Sequence, residues 1–146
     1  MITVCCFVAF RDIICIGMGN LEKSSYWFEL ANDDLKVAKC LLDSKYLLHC
    51  GYFCHQIVEK SIKALIIKNT NTIPPKTHDL ARLAKLASIY ELLTTEQLFL
   101  IDRLTPLQIE ARYPEYKDQI SKTLSCEICE NLLKEVETFL CWTKTR

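Results

Sequence analysis

The stretch YFCHQIVEKSIKALIIK, Tyr52–Lys68, contains neither Gly nor Pro and is rich in good helix formers. Extended back to Tyr46, it sets Tyr46, Cys50, Phe53, Cys54, Ile57, Ser61, Ala64 and Leu65 at intervals that share one helical face. His55, Gln56, Glu59, Lys60 and Lys63 form a polar band on the other side. The helix is expected to stop by NTNTIPP, where Asn and paired Pro break it. The polar band is then either a site or the wet side of an amphipathic helix.

The same period recurs on both sides of this stretch. Trp27, Leu30, Ala31, Leu35, Ala38, Leu41 and Leu42 predict a preceding helix, with Ser24 or Ser25 as its N-cap. Downstream, THDLARLAKLASIY predicts a shorter helix capped by Thr77, with Leu80, Leu83, Ala84 and Leu86 or Ala87 inward. Thr94 and Gln97 have capping-box spacing at the start of TTEQLFLIDRL. Pro106 and Pro114 predict an irregular, bent segment through TPLQIEARYPEYKDQIS. A last helix carries Ile128, Leu132, Val136, Phe139 and Leu140 as its buried stripe.

The 146 residues hold three Gly and four Pro, half are hydrophobic, and Lys plus Arg balance Asp plus Glu at 18 each. That is enough chain for one core and too little turn chemistry for a strand-rich fold, so an all-α domain is expected. With zero formal charge, no global field draws the chain to nucleic acid or an anionic membrane, and any such binding must be local. Three Gly exclude a phosphate-cradling loop, and no Ser-His-Asp arrangement announces itself, so no cofactor is expected.

Nine Cys in an odd count, several on apolar faces, read as reduced thiols of a cytoplasmic protein. Cys126 and Cys129 form one CxxC, and Cys50 and Cys54 a C-x3-C on an apolar helical face, so no zinc site and no metal is expected. The apolar start MITVCCFVAFRDIICIGMG is broken by Arg11 and Asp12, too soon to span a bilayer. No membrane association is expected. Residues 1–20 are read as an N-terminal extension, with Met18 as a second candidate start, and residues 21–146 as the helical domain.

Four segments in order, YWFELANDDLKVAKCLL, GYFCHQIVEKSIKAL, THDLARLAKLA and LTPLQIEARYPEY, resemble the HEPN family of small helical proteins over Leu21 to Lys144. The resemblance implies an antiparallel up-and-down four-helix bundle with an additional short helix, paired as a homodimer. It also implies association with a nucleotidyltransferase, as in toxin–antitoxin pairs. Many relatives are RNases that use an Arg, a spacer and a His. Here none of His49, His55 and His78 stands with four to six residues between it and Arg11, Arg82, Arg103 or Arg112. Catalytic residues are therefore not carried over, and the RNase signature is absent.

Two places remain as candidate ligand contacts. On the central helix, His55, Glu59, Lys60 and Lys63 offer an imidazole, a carboxylate and two ammonium groups. The plainer alternative makes Glu59 and Lys63 an exposed i,i+4 pair, leaves Lys60 solvated, and puts His55 and Glu59 in an internal network. In IEARYPEYK, Arg112 can fork onto phosphate while Tyr113 or Tyr116 stacks on a base, or Arg112 can clamp Glu59 or Glu110. His78, just after Thr77, stands at a helix start whose free N–H groups can bind an anion, but it is expected rather to cap or brace its turn. The leading reading is thus a noncatalytic or weakly catalytic protein, homodimeric as the resemblance implies, that binds a nucleotide or RNA phosphate between the central helix and EARYPEY. The alternatives are a nucleotidyltransferase partner acting by protein contact, and an RNase using unfamiliar residues, with His55 as its first imidazole.

Overall fold

The computed structural model describes residues 19–109 and 114–146. Among the described residues the six α-helices are α1 (Asn20–Asp43), α2 (Leu47–Thr70), α3 (Leu80–Leu86), α4 (Thr95–Ile109), α5 (Pro114–Thr123) and α6 (Cys126–Lys144), with a 3₁₀ turn at Tyr90–Leu92. No strand occurs among the described residues. Four of the helices are long, and their directions follow from contacts at their ends. A short connection joins α1 to α2, and Gly51 near the start of α2 faces Leu107 near the end of α4. Lys39 of α1 pairs with Glu137 of α6, and Lys144 donates to Asn32, so α6 runs antiparallel to α1. The result is an up-and-down bundle of α1, α2, α4 and α6, to which α3 and α5 are added.

The central helix has hardly any solvent face. From Cys50 to Ile67 of α2 only Tyr52, Phe53, Gln56 and Lys60 escape full burial, and α1, α3, α4 and α6 all pack on the helix. An amphipathic reading of its polar band is therefore corrected at Lys63, which is 6% exposed, while His55 and Glu59, 1% and 4% exposed, follow the alternative of an internal network. Tyr46, assigned to the apolar stripe, precedes the first turn and is exposed. Asn71 ends the helix in the left-handed conformation at φ 58°, a position Asn tolerates, and its N–H returns to the Ile67 carbonyl.

Small side chains let α1 approach α2 closely. Ser24, Ala31 and Ala38 recur every seven residues and are buried, and Ser24 Oγ donates to the Ala64 carbonyl at 2.9 Å. Ser24 is thus a contact inside the helix, and the cap lies earlier, where Glu22 accepts from Gly19 N–H at 3.0 Å. Asp79 rather than Thr77 caps α3, accepting from Arg82 N–H at 2.9 Å. Thr77 holds the turn before it by accepting from Asp79 N–H at 3.3 Å.

The capping box at α4 forms as its spacing predicts: Thr94 N–H donates to Gln97 Oε1 at 2.9 Å and Gln97 N–H to Thr94 Oγ1 at 3.3 Å. Pro106 lies within α4 rather than ending it, and Pro114 opens α5, where the missing N–H costs nothing. The segment read as irregular is therefore helical on both sides of residues 110–113. In α6, Ser125 caps the first turn, and Cys129 replaces Ile128 on the inner stripe because Ile128 points about 80° away from it. Phe139, Val136, Leu132 and Leu140 complete that stripe. Among the described residues, no helix is long and apolar enough to cross a membrane.

Candidate functional site

Glu59 lies one helical turn after His55 and one before Lys63, so a single ridge of α2 brings the three together. Lys63 Nζ donates to Glu59 Oε1 at 2.7 Å, with the two side chains 8% and 5% exposed. The Lys63 ammonium also lies 5.5 Å from the centre of the Trp27 ring of α1, a cation–π contact. The other oxygen, Oε2, accepts from His78 Nδ1 at 2.9 Å. His78 belongs to the connector between α2 and α3, and Pro74 and Pro75 stiffen its approach.

Below it, His55 Nε2 donates to the His78 backbone carbonyl at 3.2 Å. A carbonyl only accepts, so the hydrogen is on Nε2, and the neutral ring turns the lone pair of Nδ1 toward Glu59 Oε2 at 3.6 Å. That nitrogen is buried with no hydrogen-bond partner among the described residues, as is Gln56 Nε2. Burial pushes the His55 imidazole down to about 4, against the pull of the Glu59 charge, so the ring is neutral at pH 7. For Glu59, burial favours the neutral acid, but the Lys63 and His78 hydrogen bonds and charges outweigh it and hold the carboxyl below its usual range.

His55 is accordingly out of a ligand's reach, and the imidazole of this cluster that meets solvent is His78, whose side chain is 51% exposed. No described residue is hydrogen-bonded to its Nε2. The arrangement is an exposed imidazole oriented by a buried carboxylate, which is in turn held ionised by a buried ammonium. Such a group can accept or donate one proton at a fixed position, or hydrogen-bond a ligand there.

The other sequence candidates are distributed as follows. Lys60 is not solvated: it pairs with Asp34 of α1, both side chains largely buried. Tyr116 is exposed on α5. Arg112 and Tyr113, with Glu110, lie outside the described residues. Sequence reasoning did not include His78, Trp27 or Asp34 among the ligand-site residues. Each joins the cluster through a contact between separate elements, and only the stiff PPKTH connector hinted at a fixed placement for His78.

The cysteines serve packing. Cys50, Cys54 and Cys129 are buried where α2 meets α6. The Cys129 thiol beside Cys50 lowers the latter's pKa, but Cys54 and burial raise it further, to about 12. Among the described residues, no group of three His, Cys, Asp or Glu side chains is placed to hold a metal ion.

The family model for the HEPN domain matches residues 24–146. No curated protein and no solved structure matches the chain.

Proposed function

The chain belongs to the HEPN domain family, and from that premise we propose that it is a homodimeric protein that binds a nucleotide or an RNA phosphate beside His78. The observation that carries the reading is the half-exposed His78 imidazole, fixed by the 2.9 Å contact to buried Glu59. Burying a carboxylate and an ammonium together costs desolvation, and an apolar pair of similar size would pack the helix at least as well. A ligand-facing imidazole gives that expense a use. In this reading Lys63 acts indirectly, by keeping Glu59 ionised, and Lys60 acts by holding α1 through Asp34. Arg112 supplies the guanidinium for phosphate, and Tyr113 or Tyr116 stacks on the base.

The test is binding of the purified protein to a panel of nucleotides and short RNAs, with RNA integrity followed in the same tubes. Binding that weakens at least tenfold in His78→Gln and in Arg112→Ala, both still helical, supports the reading. Binding that both variants retain overturns it.

A second reading has its own support: both lysines of α2's polar band are already neutralised by carboxylates, which leaves little local charge to attract RNA. In that case the protein is the partner of a nucleotidyltransferase in a toxin–antitoxin-like pair and acts by protein contact. No binding anywhere in the panel, with a stable complex on co-purification with such a partner, would select it.

A further inference from the structure

We propose that binding of a nucleic-acid phosphate at this site takes up one proton, on Nε2 of His78; the inference rests on the phosphate-binding reading above. The argument starts from the tautomer. Ionised Glu59 has only acceptor oxygens, so the 2.9 Å contact places the ring hydrogen on Nδ1. In the neutral ring Nε2 then carries a lone pair, and a phosphate oxygen, also an acceptor, has nothing to bond there. Contact with phosphate requires the imidazolium, which donates from Nδ1 to Glu59 and from Nε2 to the ligand.

The surrounding charges make the ligand the deciding partner. Lys63 lies 2.7 Å from the other oxygen of Glu59 and offsets the negative charge of that carboxylate. His55, also from α2, presents its N–H to the His78 carbonyl and adds no charge while neutral. Asp79, the next residue in the connector, is engaged in capping α3 through Arg82 N–H, and α1 contributes the Trp27 ring over Lys63. A phosphate arriving at Nε2 adds the second anion that stabilises the doubly protonated ring. A ligand hydroxyl, by contrast, would donate to the neutral Nε2 and bind without a proton.

The probe is a six-residue oligouridylate, whose phosphodiesters and bases do not titrate between pH 6 and 8. Association is measured across that range at fixed ionic strength, by fluorescence anisotropy and by calorimetry in two buffers of different ionisation heat. The expected result is a binding constant that rises as pH falls, by up to about tenfold per pH unit, with proton uptake approaching one. His78→Gln, checked for helix content, should bind with a flat profile, and His49→Gln should keep the slope. In the wild-type protein, nitrogen NMR of His78 should show an Nδ1–H tautomer at pH 7.5 without RNA and protonation of both nitrogens with it. Binding without proton uptake, with Nε2 unprotonated in the complex, would overturn this inference while leaving the phosphate-binding reading intact. No association at any pH, with the His78 signals unmoved, would remove that reading as well.

Discussion

The imidazole of His55 donates to the backbone carbonyl of His78 at 3.2 Å, so one histidine is the strut on which the other is mounted. The buried ring fixes the connector, and the exposed ring, steadied by Glu59, meets solvent. Two residues of the same type thus have opposite exposures and separate tasks.

The strut makes stability depend on pH. The His55 ring titrates at about 4 in the folded protein, against an ordinary value of 6.5. Between these values the unfolded chain binds the proton and the folded one does not. Its contribution is therefore complete above pH 6.5, declines as pH falls toward 4, and levels off below that. The amount is on the order of 3 kcal/mol at the acid end. Glu59, whose pKa is also lowered, adds a loss of the same sign at lower pH. Urea unfolding between pH 7.5 and 4 should show this decline, and His55→Gln should flatten its upper part.

Glu59 and Lys63 should be strongly coupled. Removing either charge leaves the other buried without its main partner, at a cost of about 3–5 kcal/mol. Replacing both, as in Glu59→Gln with Lys63→Met, should cost clearly less than the sum of the single changes. A double-mutant cycle on unfolding free energies checks this, and additive losses would show that the two side chains act separately.

Gly51 tests how tightly α2 and α4 meet. A Cβ built there comes 3.2 Å from Leu107 Cδ1, a flexible side-chain end that can give by tenths of an ångström. Gly51→Ala gains roughly 1 kcal/mol in helix propensity and loses a comparable amount in crowding, so stability should change by less than about 1 kcal/mol. Gly51→Val cannot be accommodated in the same way and should lose about 2 kcal/mol or more.

Thiol reactivity should divide by position. Cys40, Cys126 and Cys141 are exposed, whereas Cys50, Cys54 and Cys129 are buried. The Cys50 thiol is pushed up to about 12, and Cys129 is also raised, by its contact with Cys50 and by burial. Timed alkylation at pH 8 with peptide mapping should label the first three in minutes and the buried three only on unfolding. Early labelling of Cys129 would show that α6 separates from α2 in the native state.

The fold was legible because apolar spacing reports which side of a helix is covered, and it located all four long helices. The periodicity at Leu83 and Ala84 and the Thr94–Gln97 box were read correctly for the same local reason. The burial of Lys60 and Lys63 is not legible in the sequence, and that of His55 and Glu59 is only one of two readings, because periodicity cannot tell whether a polar face meets water or other polar groups. Glu59 is hidden by partners such as His78, nineteen residues away in the chain, and Lys60 by Asp34, twenty-six away. Cap positions failed where a side chain had a tertiary use, as Ser24 does on the Ala64 carbonyl. At Thr77, Asp79 stood closer to the first helical turn.

The close seam between α1 and α2 also bears on the order of assembly. The two helices are joined by Ser44–Tyr46 alone, and Ala31 and Ala38 are fully buried where they meet. Closing so short a loop costs little chain entropy, and it brings together two of the longest helices. This hairpin is therefore the expected nucleus, with α6 docking afterwards against the Cys50 side of α2. Destabilising changes at Ala31 or Ala38 should slow refolding, whereas trimming Phe139 should mainly hasten unfolding. The His55–Glu59–His78 cluster, which needs the α2–α3 connector in place, would then complete itself only after the hairpin has formed.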